Sequence, residues 1–223
     1  MIHRNLRGKK MHSKAIEEVF FLVFVEIFML FIFRALLPAN NSELYFAAKT
    51  ALYSFDIIFV FIMVKVFDHE KLSFIGLTKN NLWDQFKTGL VIFLLLIYLY
   101  IFPYYLVYGI SLPYSIETGE LLLHVIVNIF VISVAEEMLF RGLILARLKT
   151  LLSSDTKVII VSALIFGLSQ YPLSHNALKL IFYVYMGLIL SIMRLKFDSK
   201  IISLSLAHGL MLSVFDFISC ITV

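Results

Sequence analysis

The chain carries a single cysteine, Cys220, which excludes an internal disulfide and a cysteine-based zinc cluster. It has only 4 prolines and 9 glycines among 223 residues. No two apolar runs share Gly or Pro breaks at corresponding positions, as the halves of an inverted-repeat carrier would. There is no repeat of fixed period, no low-complexity tract, and no polar stretch that approaches the size of a soluble domain. What the chain has in quantity is hydrocarbon. Hydrophobic residues make up 61% of it, 22 residues are Phe, and the mean hydropathy is +0.95. Soluble domains are about half apolar, so this composition points to a membrane protein.

The long apolar runs fall at roughly 16–37, 43–66, 88–111, 120–145, 157–173, 177–195 and 200–222, each near the ~20 residues that cross a bilayer as a helix. The expected fold is therefore all-α: a polytopic transmembrane helical bundle of about seven spans. Residues 1–15 read as a basic N-terminal segment and 16–223 as one membrane domain. The first run is too long for a signal-peptide core and reads as a retained span. Arg4, Arg7, Lys9, Lys10 and Lys14 precede span one, and LPANNSE after it has no base. Lys71, Lys79 and Lys87 follow span two, and SLPYSIETGE after span three has none. Arg147, Lys149 and Lys157 follow span four, and Arg194, Lys196 and Lys200 follow span six. That alternation predicts a cytoplasmic N-terminus and an outside C-terminus. The connection 68–88, with Leu82, Trp83 and Phe86 among charges, is expected to form a short amphipathic helix on the membrane surface. Nothing in the chain reads as a nucleic-acid surface; the expected partners are lipids and a peptide or protein in the membrane.

Ionisable residues within spans are costly and mark function or tight pairing. Here they are Glu26, Arg34, Lys49, Asp56, His124, Glu136, Glu137, Arg141, His208 and Asp216. The stretch AEEMLFRGLIL, 135–145, concentrates three of them. Glu137 and Arg141 are four apart on a helix and are expected to neutralise each other. Glu136 points about 100° away and needs a separate reason to be buried. A helical rise of about 1.5 Å per residue puts Glu136 roughly 13 Å and His208 roughly 12 Å from the basic face, at one level on different helices. A carboxylate and an imidazole in a cavity polarise a water, with the Glu as general base. The same pair also begins a divalent-metal site such as zinc, though one short of the usual three protein ligands. Lys49 and Asp56 on span two are expected to pair. Gly187 and Gly209 are expected to allow close helix approach.

Glu136-Glu137-x-x-x-Arg141, running on as Phe140-Arg141-Gly142, resembles the first motif of the CAAX protease and bacteriocin-processing family of intramembrane proteases, also called CPBP or Abi. The resemblance covers about 121–217, through SALIFGLSQY, FYVYMGLILSIMRLKFDSKI and SLSLAHGLM. It implies an all-helical core and hydrolysis by a Glu-activated water. Carried over by position, Glu136 is the catalytic glutamate, and Glu137 and Arg141 complete the first motif. Phe166 begins the second motif, whose histidine position is Gln170 here. His208 begins the third, whose amide or acid position is Leu212. Gln170 donates hydrogen bonds but takes no proton near neutral pH, so its expected role is oxyanion donor. Neither Ser213 nor Asp216 replaces Leu212 cleanly, and His175 lies too far along to replace Gln170. The expected location is a cell membrane, of a bacterial plasma-membrane type by the resemblance.

Three functions remain open on this reading. The first is an endopeptidase acting on membrane-associated peptides, approached from the cytoplasmic side. The second is a catalytically silent relative serving as scaffold or bacteriocin-immunity protein, which the Gln170 and Leu212 departures favour. The third is a small transporter with Glu26, Asp56 and Lys49 along its path.

Overall fold

The computed structural model describes residues 2–36, 42–108, 118–174 and 176–219. His175 and Cys220 lie outside the described residues, as does the side chain of Asp216. Among the described residues, six helices are long and apolar enough to cross a membrane. They are α1 (Ser13–Leu36), α2 (Glu43–Phe67), α3 (Leu82–Val107), α4 (Gly119–Leu151), α5 (Asp155–Leu173) and α6 (Ala177–Lys196). A seventh helix, α7 (Ile201–Ser219), follows. Its apolar part among the described residues is Ile201–Phe215, and the end of the span expected at 200–222 lies outside them. The chain is thus a multi-pass helical membrane protein, and no strand occurs among the described residues. Helices are what such a composition permits in lipid, where each backbone N–H and C=O must be satisfied within its own segment.

One helix runs from Ile2 to Leu36 and carries both the basic residues and the first span. The surface helix expected within 68–88 does not form. Leu72–Ile75 makes one tight 3₁₀ turn, and Leu82 already begins α3, with Trp83 and Phe86 exposed and stacked on its first turn. The apolar half of that segment has a better place than the surface. Ile75 is fully buried, and its Cβ lies 3.0 Å from where a side chain on Gly142 would begin. The connection is thereby tucked under the AEEMLFRGLIL stretch. Arg147 fixes it further, bonding Asp68 and reaching Glu18 on α1 at 2.7 Å. Between α6 and α7, a 2.5 Å hydrogen bond from Lys200 holds the Asp198 carboxyl below the usual carboxylate range.

Helix α5 packs along α6, and α3 along α7. With lipid outside, small residues rather than apolar burial set how near the backbones come. A Cβ on Gly187 would lie 3.0 Å from the Ala163 Cα of α5. A Cβ on Gly209 would lie 2.5 Å from the Ile129 Cα of α4, closer than real Cβ atoms come to backbone. The approach expected at both glycines is present, and the one at Gly209 presses α7 onto α4 beside His208. Polar contacts follow the same seam: Ser133 Oγ donates to the Ser205 carbonyl at 2.8 Å, and Asn128 Nδ2 donates to Ser213 Oγ at 3.4 Å. The largest apolar core runs through Val64, Leu96, Phe140, Leu143, Ile144, Phe166, Leu190 and Leu204.

Candidate active site

Helix α4 departs from regular α geometry where its polar residues lie. It widens into π-helical turns at Asn128–Ile132 and again at Glu137–Ile144. Every residue of the second stretch is buried. Wide turns of this kind re-aim side chains and recur at functional sites. Glu137 and Arg141 both have 0% exposure, and Arg141 Nη1 donates to Glu137 Oε1 at 3.1 Å. The face of Phe166, from α5, lies 4.2 Å from the Arg141 guanidinium carbon and supplies a cation–π contact. The same ring meets Phe140 edge-on at 5.0 Å and His208 at 6.2 Å. Phe166 therefore packs the arginine and the imidazole into one unit.

His208 is fully buried on α7 and stands between the two carboxylates. Its Nδ1 lies 2.8 Å from Glu137 Oε1, and its Nε2 lies 3.4 Å from Glu136 Oε2 without a hydrogen bond. A carboxylate only accepts, so the short contact puts the proton on Nδ1. In the neutral ring Nε2 then carries the lone pair and faces Glu136. The sequence reading separated the roles, giving Glu137 to Arg141 and His208 to Glu136. In the structure Glu137 serves both Arg141 and His208 and sets the imidazole's orientation.

Nor is Glu136 unpartnered. Gln170 Nε2, at the end of α5, donates to Glu136 Oε1 at 2.9 Å, and Tyr53 Oη, from α2, donates to the same oxygen at 3.0 Å. Oε2 is left toward His208. The histidine position that became Gln170 thus holds a neutral donor on the carboxylate. Tyr53 had no sequence signal of its own among 11 tyrosines. Its place on one helical face with Lys49 and Asp56 was the available hint.

These side chains line a cavity of about 200 Å³, bounded also by Tyr100, Met186 and Leu212. From Glu136 and His208 it extends toward the helix ends that carry Lys49, Leu173 and Lys179. Toward the basic connections, Ile75 lies against Gly142 and Arg194 donates to the Arg141 carbonyl at 3.4 Å, beside a separate pocket of about 360 Å³ lined by Arg141, Gly142 and Arg194.

The other span residues fall away from the site or remain beside it. Leu212 is half-buried in the cavity wall and supplies no polar group. Ser213 is spent on Asn128 and on the Gly209 carbonyl. His124 stacks on Phe46 with centroids 4.2 Å apart, and Arg34 is exposed at the end of α1. Glu26 and Asp56 are buried and within electrostatic reach of Glu136. The pair expected between Lys49 and Asp56 is not among the ion pairs of the described residues. As for a metal, no group of three His, Cys, Asp or Glu side chains among the described residues is disposed to hold one. Glu136 and His208 alone fall short of a zinc set, because Glu137 is committed to Arg141 and His208.

A family model described as type II CAAX prenyl endopeptidase Rce1-like matches residues 118–214. The match runs from α4 into α7, so it contains Glu136, Glu137, Arg141, Phe166, Gln170 and His208, and leaves Tyr53 outside. No curated protein and no solved structure matches the chain. Residues 118–214, which carry the candidate site, are similar to the CAAX prenyl endopeptidase family.

Proposed function

We propose that the chain is an intramembrane endopeptidase that cleaves a membrane-associated peptide with a water held between Glu136 and His208. One observation carries this reading. Nε2 and Oε2 face each other across 3.4 Å on a cavity wall, each oriented by its own second partner. Two acceptors so placed are brought to terms by a water that donates a hydrogen to each. In the reaction the water oxygen attacks the scissile carbonyl carbon, and Glu136 Oε2 takes the water's proton. The carbonyl π pair moves to oxygen. The second N–H of Gln170, beyond the one spent on Glu136, is available to that oxyanion. As the intermediate collapses the C–N bond breaks, and the proton on Glu136 passes to the departing amine. Glu137 and Arg141 act through His208, as positioning residues.

The direct test is cleavage of candidate membrane peptides by wild type and by Glu136→Gln, both checked for folding. Loss of a general base costs on the order of 10²–10⁴ in rate. A folded Glu136→Gln that cleaves at the wild-type rate ends this reading.

A second reading, a silent relative acting as scaffold or immunity protein, has its own observation. Gln170 and Leu212 supply the cavity with no proton-accepting group. The double substitution Gln170→His with Leu212→Asn separates the two. If it gains proteolysis that wild type lacks, the natural chain is the silent form.

A further inference from the structure

A second, polar cavity lies on the side of the basic connections, apart from Glu136. It encloses about 490 Å³ where the first turns of α3 and α7 meet the Leu72–Ile75 turn and the connection after α6. Gln85 on α3 is 5% exposed and lines it. Its Nε2 donates to the Thr78 and Asn80 carbonyls at 3.1 and 2.6 Å, and its Oε1 has no hydrogen-bond partner among the described residues. The two donations fix which way the amide points, so the bare atom is an acceptor. Ser203 on α7 is 1% exposed and lines the same wall, and its hydroxyl makes no hydrogen bond among the described residues. A buried acceptor without a donor is costly, and a ligand that brings one removes the cost. Groups that favour an anion converge on the same space. Arg194 donates Nε to the Arg141 carbonyl and Nη1 to the Ser199 carbonyl, and Nη2 makes no hydrogen bond among the described residues. Nη2 has room because residue 76 is a glycine at φ +86°; a Cβ there would overlap it. Helices α3 and α7 both begin at this cavity, and Asn81, which precedes α3, makes no side-chain bond to its first turn. Two helix N-termini side by side favour a negative group. Two carboxylates line the wall as well, and each has cations of its own. Asp84 faces Lys87 at 3.5 Å, and Asp198 accepts from Lys200 at 2.5 Å and faces Arg194 at 3.5 Å.

We propose that this cavity binds the headgroup of a phospholipid from the leaflet on the basic face, and that it selects headgroups carrying a hydrogen-bond donor beyond the phosphate. The phosphate lies against Arg194 Nη2 and the two helix N-termini. The donor, a glycerol hydroxyl or an ethanolamine ammonium, meets Gln85 Oε1, with Ser203 beside it. Arg194 by itself accepts any phosphodiester. The bare Gln85 acceptor is what separates these headgroups from choline, whose quaternary nitrogen has no hydrogen to give. The surroundings favour a lipid over a soluble ester. Phe197 is exposed on the cavity rim, and Trp83 and Phe86 stack on the outer face of the α3 turn that carries Gln85, with ring centroids 5.6 Å apart. Exposed aromatic rings at a helix end mark the level of the headgroups. Below them, the exposed Leu90, Val91 and Leu94 give the acyl chains an apolar face to lie along. This site does not depend on the proteolytic reading.

The test uses the full chain in detergent micelles and four short-chain lipids, with binding read by native mass spectrometry. Phosphatidylethanolamine and phosphatidylcholine are both zwitterionic and differ in the donor. Phosphatidylglycerol and phosphatidylmethanol are both anionic and differ in the same way. The donor-bearing member of each pair is expected to bind about tenfold tighter, the effect of one hydrogen bond to an otherwise bare buried acceptor. Gln85→Met is expected to remove that ratio and Ser203→Ala to reduce it, whereas Arg194→Lys is expected to weaken all four lipids. Gln85→Met also loses the bonds to Thr78 and Asn80. Should it fail to fold, Thr88→Leu, which crowds the wall and leaves Gln85 and Arg194 in place, is expected to weaken the donor-bearing lipids several-fold. A preference in one pair alone upholds the site and names the donor as ammonium or hydroxyl. Equal affinity within both pairs overturns the proposal, as does a preference that survives every folded variant. If both anionic lipids bind alike and better than both zwitterionic ones, charge alone is read and the proposal is wrong. The last arm uses soluble glycerophosphoethanolamine and glycerophosphoglycerol, which are expected to bind at least tenfold more weakly than the lipids. Equal affinity would make the ligand a soluble phosphate ester and overturn the assignment to lipid.

Discussion

Replacing Glu137 by Gln keeps the shape of the side chain and removes one charge, which makes it the sharpest probe of the buried cluster. Glu137 has 0% exposure, faces Arg141 Nη1 at 3.1 Å, and faces His208 Nδ1 at 2.8 Å through the same oxygen. At an effective dielectric near 20, two unit charges at the Arg141 separation attract by about 5 kcal/mol. Removing one partner of a buried pair costs on the order of 3–5 kcal/mol, because the other charge is left without compensation. Arg141 also senses Glu136, which puts the expected loss at the lower end, about 3 kcal/mol. The double variant Glu137→Gln with Arg141→Met removes the stranded cation, and is expected to recover more than half of that loss. Equilibrium unfolding in mixed micelles measures all three proteins. Nitrogen-15 NMR of the His208 ring provides the second readout. Wild type should show Nδ1 protonated, and Glu137→Gln should weaken that tautomer preference. If Glu137→Gln lies within about 0.5 kcal/mol of wild type and the His208 spectrum is unchanged, the account of Glu137 as the group that holds both Arg141 and His208 is wrong.

Other substitutions probe single links. Gly209→Ala places a carbon 2.5 Å from the Ile129 Cα, so α7 must move off α4. Overpacking of this kind costs about 1–3 kcal/mol, and loss of cleavage should accompany the loss of thermal stability. Tyr53→Phe removes one of the two donors on Glu136 Oε1 and should lower kcat several-fold, with KM little affected. An unchanged kcat would show that Tyr53 only packs. Reporter fusions should place the N-terminus and the 147–157 connection in the cytoplasm, and the start of α6, with Lys179, on the other side. A cytoplasmic Lys179 would refute that orientation.

The AEEMLFRGLIL stretch shows how far the sequence reaches. The Glu137–Arg141 pair was legible because four residues on one helix fix which side chains meet, whatever surrounds them. The runs that became α1 to α6 were legible for a similar reason, since span length follows from bilayer thickness. The surface helix in 68–88 was misjudged. Its mixed pattern suits an interface equally well, and only the room beneath Gly142 decided that Ile75 would be buried instead. His208 was expected beside Glu136, and the structure sets it beside both carboxylates, 3.4 Å from Glu136 and 2.8 Å from Glu137. Depth is a count along one helix, whereas the 2.8 Å contact with Glu137 depends on how α7 is rotated against α4.

The sequence by itself determined that this is a helical membrane protein and that Glu137 and Arg141 meet within a single helix. Each of these follows from local geometry or from the cost of charge in hydrocarbon. Only the tertiary structure decided that Tyr53, Gln170 and His208, from α2, α5 and α7, surround Glu136, and that their cavity runs toward Lys49 and Lys179. Helix rotation and closest approach are set by packing summed over every contact between helices, and no short stretch of sequence contains that sum.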